Sequence, residues 1–265
     1  VSASEWEEKE LKENLNTKVV GSKFDIHREI ESTNQYALEI ASRGAEEGTV
    51  VLAEWQTRGR GRMSREWVSP PGVGIYMTVI LRPGASVREL PKYTLLAGVA
   101  VAEAVRETAA LPATIKWPND VLIDGKKFCG ILEETFITGS KINYIVIGIG
   151  INVNTDPAEL PATSRSAPTS LKAEKGAPVD RRKLLQTVLR KLDSGYLDIK
   201  AGRGEDIVHK WRGLSTTLGR KVKVELPDGP LEGQAMDIDS DGGLLISADG
   251  ELKKIMAGDI IFLDQ

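Results

Sequence analysis

TIKWPNDVLIDGKKFCGILEETFITGSKINYIVIGIGINVN, Thr114 to Asn154, is the stretch that decides the fold class. Its apolar residues fall into short runs rich in β-branched side chains, TIKW, VLID, KFCGILEETF and NYIVIGIGINVN, with turn signals such as Asp124-Gly125-Lys126 between them. Turn dipeptides between such runs join neighbouring strands as hairpins, so this region reads as an antiparallel or mixed sheet. Upstream, KFDIHREI sets Phe24, Ile26 and Ile30 on one face as a strand, and Ser32 can cap a helix that ends at the C′ glycine Gly44. GTVVLAEW is a further strand, and GIYMTVILR returns as another after the PPG turn at Pro70 to Gly72. Between Arg88 and Ala110 the apolar LLAGVAVAEAV, with Glu103 and Arg106 outside, predicts a buried helix backing the sheet.

Downstream, Asn154 to Ala177 is rich in Pro, Ser, Thr and Ala and shows no period, after which Asp180 caps RRKLLQTVLRKL and a helical stretch runs to about Trp211. KVKVEL, a PDG turn, LEGQAMDID, SDGG, LLISA, DG, ELKKIM and IIFLD then read as a small barrel of about five strands. At the other end Ser4 and Glu7 have capping-box spacing, and EWEEKELKENL, apolar only at Trp6, Leu11 and Leu15, predicts a short, charged, mostly exposed helix. The expected organisation is α+β: an N-terminal helical extension or linker over 1–22, a mixed-sheet domain backed by helices over 23–213, and a small β-barrel over 214–265.

A net charge of −3 argues against a general nucleic-acid binder, which needs a surplus of Lys and Arg on one face. One cysteine, Cys129, leaves no internal disulfide or cysteine metal cluster, and His27 and His209 are far apart for metal ligands. With no apolar run of about 18 residues and no leader pattern, a cytoplasmic protein with no membrane partner is expected. Against this background WQTRGRGRMSREW, Trp55 to Trp67, stands out for its four arginines and two glycines. Gly59 and Gly61 allow positive φ and close approach of a ligand, and Arg58, Arg60, Arg62 and Arg65 supply guanidinium forks suited to phosphate or carboxylate. The same segment also fits a solvated basic loop.

Four motifs, STNQ at Ser32 to Gln35, GRGRMSREW at Gly59 to Trp67, KWPNDVLIDGKKFCGI at Lys116 to Ile131 and GIGINVN at Gly148 to Asn154, together resemble the biotin protein ligases. The resemblance covers Lys23 to the C-terminus, and the last strands fit the SH3-like domain that follows the catalytic domain in that family. It is to the bacterial bifunctional type without its N-terminal DNA-binding domain, since ELKENLNTKVVG resembles the linker after such a domain; DNA binding is not expected of the chain as it stands. The activity implied is two-step. Biotin and MgATP give biotinyl-5′-AMP, and a lysine of a biotin carboxyl carrier protein then takes the biotin.

In that resemblance Arg60, Arg62, Lys127 and Asp120 are catalytic, Asp120 as a possible base toward the acceptor amine. Biotin contacts fall to Ser32, Thr33, Asn34, Gln56, Gly59, Arg60, Arg62, Lys127, Gly130, Gly148 and Gly150. ATP contacts fall to Arg62, Arg65, Trp67, Asn119, Asp120 and Asn152, with Mg²⁺ at Asp120 and Asn152 and no prosthetic group. Each residue also has a plainer reading. Lys127 can be a hairpin lysine in solvent, Asp120 a turn residue after Pro118, Trp67 a core aromatic instead of an adenine platform, and the strand glycines a place where a helix packs closely. Cys129 reads as a small buried residue. A lipoate or octanoate ligase-type acyltransferase is the neighbouring enzyme, although its Gly-rich signature is replaced by GRGR, and a biotin-sensing regulator without turnover is the non-enzymatic alternative. Pairing of two copies is implied by the resemblance alone.

Overall fold

The computed structural model describes residues 6–161, 167–226 and 229–263. Among these, one sheet runs in the order β1 (Lys23–Ile30), β2 (Thr49–Gln56), β3 (Ile75–Leu81), β7 (Lys141–Ile151), β6 (Lys126–Thr138), β5 (Asp120–Ile123) and β4 (Thr114–Lys116). The successive hairpins expected from Thr114 onward are present as β4 to β7, each antiparallel to the next. β1 and β2 pair in parallel because α2 (Thr33–Ser42), capped by the Ser32 side chain, crosses between them, and this makes the sheet mixed.

The two-residue side-chain period gives the sheet two different faces. Met77 and Val79 of β3, with Ile145, Ile147 and Ile149 of β7, join the main core beneath α3 (Leu90–Ala109), α5 (Arg181–Lys200) and α6 (Glu205–Leu214). α3 is the buried helix expected, with Pro91 in its first turn and Ala110 in the left-handed region at its end. Each fully buried Leu or Val of such a layer contributes roughly 1.5–3 kcal/mol of transfer free energy. The opposite face is covered only in part, where Ala37 and Ala41 of α2 meet Val51, Ile80 and Val146.

Three expectations are corrected. The N-terminal segment is docked, not mostly exposed: α1 (Glu8–Lys12) is only five residues long, and Trp6, Leu11 and Leu15 are all buried. The Arg181 guanidinium lies 4.4 Å from the Trp6 ring centroid, and the Asp193 carboxylate accepts the amides of Lys18, Val19 and Val20 at 2.7–2.9 Å. The capping residue Ser4 lies outside the described residues. The helical stretch to Trp211 is two helices, interrupted where Gly202 adopts φ +79° and a new helix begins at Glu205. Finally, the stretch from Asn154 to Ala177, in which no period was found, holds α4 (Leu171–Lys175), capped by Ser170 and ended by Gly176 at φ +74°.

The remaining strands, β8 (Lys221–Leu226), β9 (Gly229–Ile238), β10 (Leu244–Ala248), β11 (Glu251–Ile255) and β12 (Asp259–Phe262), form an antiparallel sheet in the order β11-β10-β9-β8-β12. Five strands is the number the turn spacing implied; part of the PDG turn lies outside the described residues. The guanidinium of Arg212 on α6 bonds Asp237 and the Ile238 carbonyl of β9, joining this sheet to the helical layer.

Glu133 is a core-facing carboxyl on β6 that accepts a 2.7 Å hydrogen bond from the Thr94 hydroxyl of α3. Burial pushes it from its ordinary 4.5 up to about 7, the Thr94 bond opposing the shift. Because the folded value is the higher, its contribution is fully present below about pH 4.5 and is lost as pH rises through about 7. Glu133→Gln keeps the acceptor for Thr94 and removes the titration. In urea unfolding, the parent is expected to lose about 2 kcal/mol more than this variant between pH 5 and pH 8; parallel pH dependences would refute the assignment.

Candidate active site

Where α2 leaves the sheet uncovered, the register lines up two rows of residues. One row reads Tyr76, Gly150, Gly130, Asp120 across β3, β7, β6 and β5, and the next reads Thr78, Gly148, Leu132. The glycines remove the middle of each row. A Cβ on Gly150 would lie 2.3 Å from the Trp67 indole nitrogen, one on Gly130 2.9 Å from the same ring, and one on Gly148 1.8 Å from the Asn34 amide oxygen. The strand glycines thus admit two side chains close to the backbone, and the space around them is a cavity of about 350 Å³. Ser32, Thr33, Asn34, Gln56, Arg60, Arg62, Arg65, Trp67, Asn119, Asp120, Lys127, Gly130, Gly148, Gly150 and Asn152 all line it. Of the residues singled out in the sequence, Gly59 sits behind the wall and Arg58 is exposed on the loop.

At one end the cavity is lined by neutral polar groups. The Thr33 amide and hydroxyl both donate to Gln56 Oε1, at 2.8 and 3.0 Å, and Gln56 Nε2 donates to Ser69 Oγ at 2.8 Å. Asn34 Nδ2 donates to the Leu132 carbonyl and to Glu134, both at 3.1 Å. Thr78, fully buried, lies 2.7 Å from Asn34 Oδ1 and 2.9 Å from Thr33 Oγ1. Sequence reasoning passed over Thr78, although the one aliphatic hydroxyl among the large apolar side chains of IYMTVIL was the available signal.

The Arg-Gly loop closes on itself through Trp67 N–H to Gly59 O and Gly61 N–H to Arg65 O, at 2.8 and 2.7 Å. The positive φ that Gly59 and Gly61 would allow falls instead on Met63 and Ser64 at the tip, at φ 53° and 58°. Gly59 is required for another reason. A Cβ there would lie 2.2 Å from the Trp67 carbonyl, so the loop's two arms could not meet. Its arginines divide. Arg60 forms a two-pronged pair with Glu134, whereas Arg62 bonds Asn119 Oδ1 at 2.9 Å, the Gly258 carbonyl at 3.2 Å and Asp259 at 3.3 Å. Arg65 pairs with the same Asp259, a carboxylate of β12 that the sequence reading did not consider.

At this cationic end Lys127 pairs with Asp120, Nζ to Oδ1, at 2.5 Å. Lys127 and Gly130 are three residues apart and would point to opposite faces of a regular strand. The register of β6 against β5 shifts by one residue between the pairs Val121–Cys129 and Leu122–Lys127, and this extra residue turns the lysine toward the cavity. Phe128 and Cys129 are accordingly both fully buried, and burial pushes the Cys129 thiol up, which leaves it inert. Asn119 is held by Arg62 and by its own bond to the Ile131 carbonyl at 2.8 Å. Asn152 donates to the Thr169 carbonyl while its buried Oδ1 has no protein partner, and the buried Trp67 indole N–H has none either.

No group of three or more His, Cys, Asp and Glu able to hold a metal occurs among the described residues. Asp120 and Asn152, both on the cavity wall, carry side-chain oxygens, the ligand type that a hard divalent ion takes. No helix of the described residues is long and apolar enough to cross a membrane.

Residues 26–152 match the biotin/lipoate A/B protein ligase family, and residues 217–263 match the biotin protein ligase C-terminal domain. The chain is 38% identical over 253 residues to the bifunctional ligase/repressor BirA of Bacillus subtilis (strain 168), spanning 96% of this chain and 78% of that one. It is 34% identical over 250 residues to the biotin–[acetyl-CoA-carboxylase] ligase of Mycobacterium tuberculosis, spanning 91% and 89%. Among solved structures, biotin protein ligase from Aquifex aeolicus in complex with biotin and ATP superposes with a TM-score of 0.76 at 30% identity, covering 91% of this chain and 98% of that one. A cavity with an amide-lined end and a cationic end, on a glycine-thinned sheet followed by this C-terminal domain, places the chain in the biotin protein ligase family.

Proposed function

We infer that the chain joins biotin to protein in two steps, as an ATP-dependent, AMP-forming ligase. The observation that carries this reading is that one cavity is lined both by neutral hydrogen-bonding side chains, Thr33, Asn34 and Gln56, suited to a cyclic urea, and by Lys127, Arg60, Arg62 and Arg65, suited to carboxylate and phosphate. Biotin spans the two ends, so its carboxylate lies beside the α-phosphorus of ATP. Attack forms the C–O–P bond of biotinyl-5′-AMP and expels pyrophosphate. The ε-amine of a carrier-protein lysine then attacks the acyl carbon, the C–O bond to phosphate breaks, AMP leaves, and the amine gives up its proton.

Both nucleophiles belong to substrates, so the protein's part is orientation and charge. Lys127 draws carboxylate and phosphate oxygens together, and Arg60 and Arg62 stabilise charge that develops on the phosphate and the leaving pyrophosphate. Asp120 and Asn152 would hold Mg²⁺, which supplies charge neutralisation on the phosphates. Asp120, paired with Lys127, would also accept the acceptor amine's proton. Trp67, half-buried against Gly130 and Gly150, offers an aromatic face to the adenine or the biotin tail. Loop residues 58–66 close the cavity and shelter the mixed anhydride from water. The acceptor is a biotin carboxyl carrier protein, the setting is the cytoplasm, and a second copy of the chain is proposed as a partner on family resemblance.

The matched family includes lipoate ligases, so the acyl group is the point to test. Incubation with MgATP and biotin, and separately with lipoate, is expected to release pyrophosphate and leave bound acyl-AMP, seen by mass spectrometry, for biotin only. Lipoyl-AMP at comparable yield would exclude the biotin reading. Biotin bound without adenylate would indicate a sensor.

Lys127→Ala is expected to slow pyrophosphate release by about 10² or more, since a lost charge donor to the reacting oxygens costs on the order of 3 kcal/mol. An unaltered rate would remove Lys127 from the chemistry. Arg62→Gly should still form biotinyl-AMP but release it about 10 to 100 times faster, the loss expected for one hydrogen bond to a charged group. Retention equal to the parent's in a rapid-dilution assay would show that Arg62 does not hold the intermediate.

A further inference from the structure

The neutral end of the cavity has a proton inventory that restricts what it can recognise. Asn34 Nδ2 carries two hydrogens, and the Leu132 carbonyl and the Glu134 carboxylate take both. The reverse orientation of the amide would press its oxygen against those two acceptors. On the other side Asn34 Oδ1 faces the Thr78 hydroxyl at 2.7 Å, and because a carbonyl cannot donate, Thr78 supplies the proton. The 2.9 Å contact between Thr78 and Thr33 must then use the Thr33 proton, in competition with Gln56 Oε1. All that Asn34 has left to offer is the second lone pair of its oxygen.

We propose that Thr78 is a positioning and specificity residue: by donating to Asn34 Oδ1 it fixes the amide as an acceptor, and so makes the cavity select a head group that presents an N–H. The proposal rests on the reading of this end as the site of biotin's cyclic urea. Thr78 does not itself line the cavity and acts through Asn34 and Thr33. Its place follows from register, since it stands beside Gly148, over which the Asn34 amide lies. Glu134 holds the nitrogen side of the amide and is itself paired with Arg60, so the amide is fixed from both sides.

Thr78→Val conserves shape and removes the proton, whereas Thr78→Ser restores it. In steady-state adenylation, Thr78→Val is expected to raise the KM for biotin about tenfold, leaving the KM for ATP and kcat at saturating biotin within about twofold, and Thr78→Ser should return the KM for biotin to within about twofold of the parent. The probes that separate recognition from stability are the two biotins carrying a methyl group on one ureido nitrogen. The parent should reject at least one of them, and Thr78→Val should shrink that discrimination by about the factor lost for biotin. A fall of equal size for biotin and both methylated compounds, or a biotin KM that does not move, overturns the proposal. If Thr78→Val fails to fold, Thr78→Ala against Thr78→Ser gives the same comparison. Biotin turnover by the parent is the control: without it the biotin reading fails, whereas a working parent with an indifferent Thr78→Val sinks only the role of Thr78.

Discussion

Everything in this molecule turns on the absence of side chains at Gly130, Gly148 and Gly150, in the middle of a sheet that is otherwise fully clothed. A central sheet face left bare must be filled, because unoccupied space against backbone forfeits both dispersion and hydrophobic energy. Here α2 covers one end with Ala37 and Ala41, the Asn34 amide lies over Gly148, and the Trp67 ring lies over Gly150 and Gly130. The three strand glycines therefore set the position of two cavity-lining side chains from other parts of the chain. Replacement by alanine would collide with Asn34 or Trp67 at distances no real Cβ contact shows.

The charges follow a second rule. Each pocket cation named above already has a carboxylate: Arg60 has Glu134, Lys127 has Asp120, and Arg62 and Arg65 share Asp259. Half-buried cations without anions would be costly to fold around. With each cation paired in this way, the cavity wall keeps its geometry without carrying uncompensated charge, and on the proposed function a substrate carboxylate or phosphate would exchange with a protein carboxylate.

How much of this was legible in the sequence depends on the range over which each feature is determined. Hairpins, the caps at Ser32 and Asp180 and the α3 apolar stripe are written within a few neighbouring residues, and they came out where expected, whereas Glu7, expected inside the first helix, is instead its N-cap. The docked N-terminal segment was misjudged because Trp6, Leu11 and Leu15 look like sparse apolar residues on a charged helix. Their burial depends on Arg181, Gln186 and Asp193, more than 160 positions away. Of the two properties for which the loop glycines were noticed, it is close approach that Gly59 uses, toward the Trp67 carbonyl across the loop and not toward a ligand, and not its own φ. Thr78 and Glu134 escaped notice because their roles arise only when β3, β7 and β6 come into register.

The division of the arginines gives the C-terminal sheet a reason to be present. Arg60 is anchored to the seven-stranded sheet through Glu134, Arg62 bridges Asn119 of the same domain to Asp259 and the Gly258 carbonyl, and Arg65 is anchored to Asp259 of β12. A glycine-containing loop with left-handed residues at its tip pays conformational entropy to stay closed, roughly 1 kcal/mol for each residue fixed. One anchor would let the tip swing; two anchors on separate sheets hold both ends of the arginine row over the cavity. Phosphate that took Arg62 and Arg65 from Asp259 would loosen the outer anchor just as it supplied a new one from inside, so the loop would remain closed for as long as the ligand stayed. The C-terminal sheet thereby supplies the counter-ion of the outer loop arginines, a carboxylate that the seven-stranded sheet does not contain.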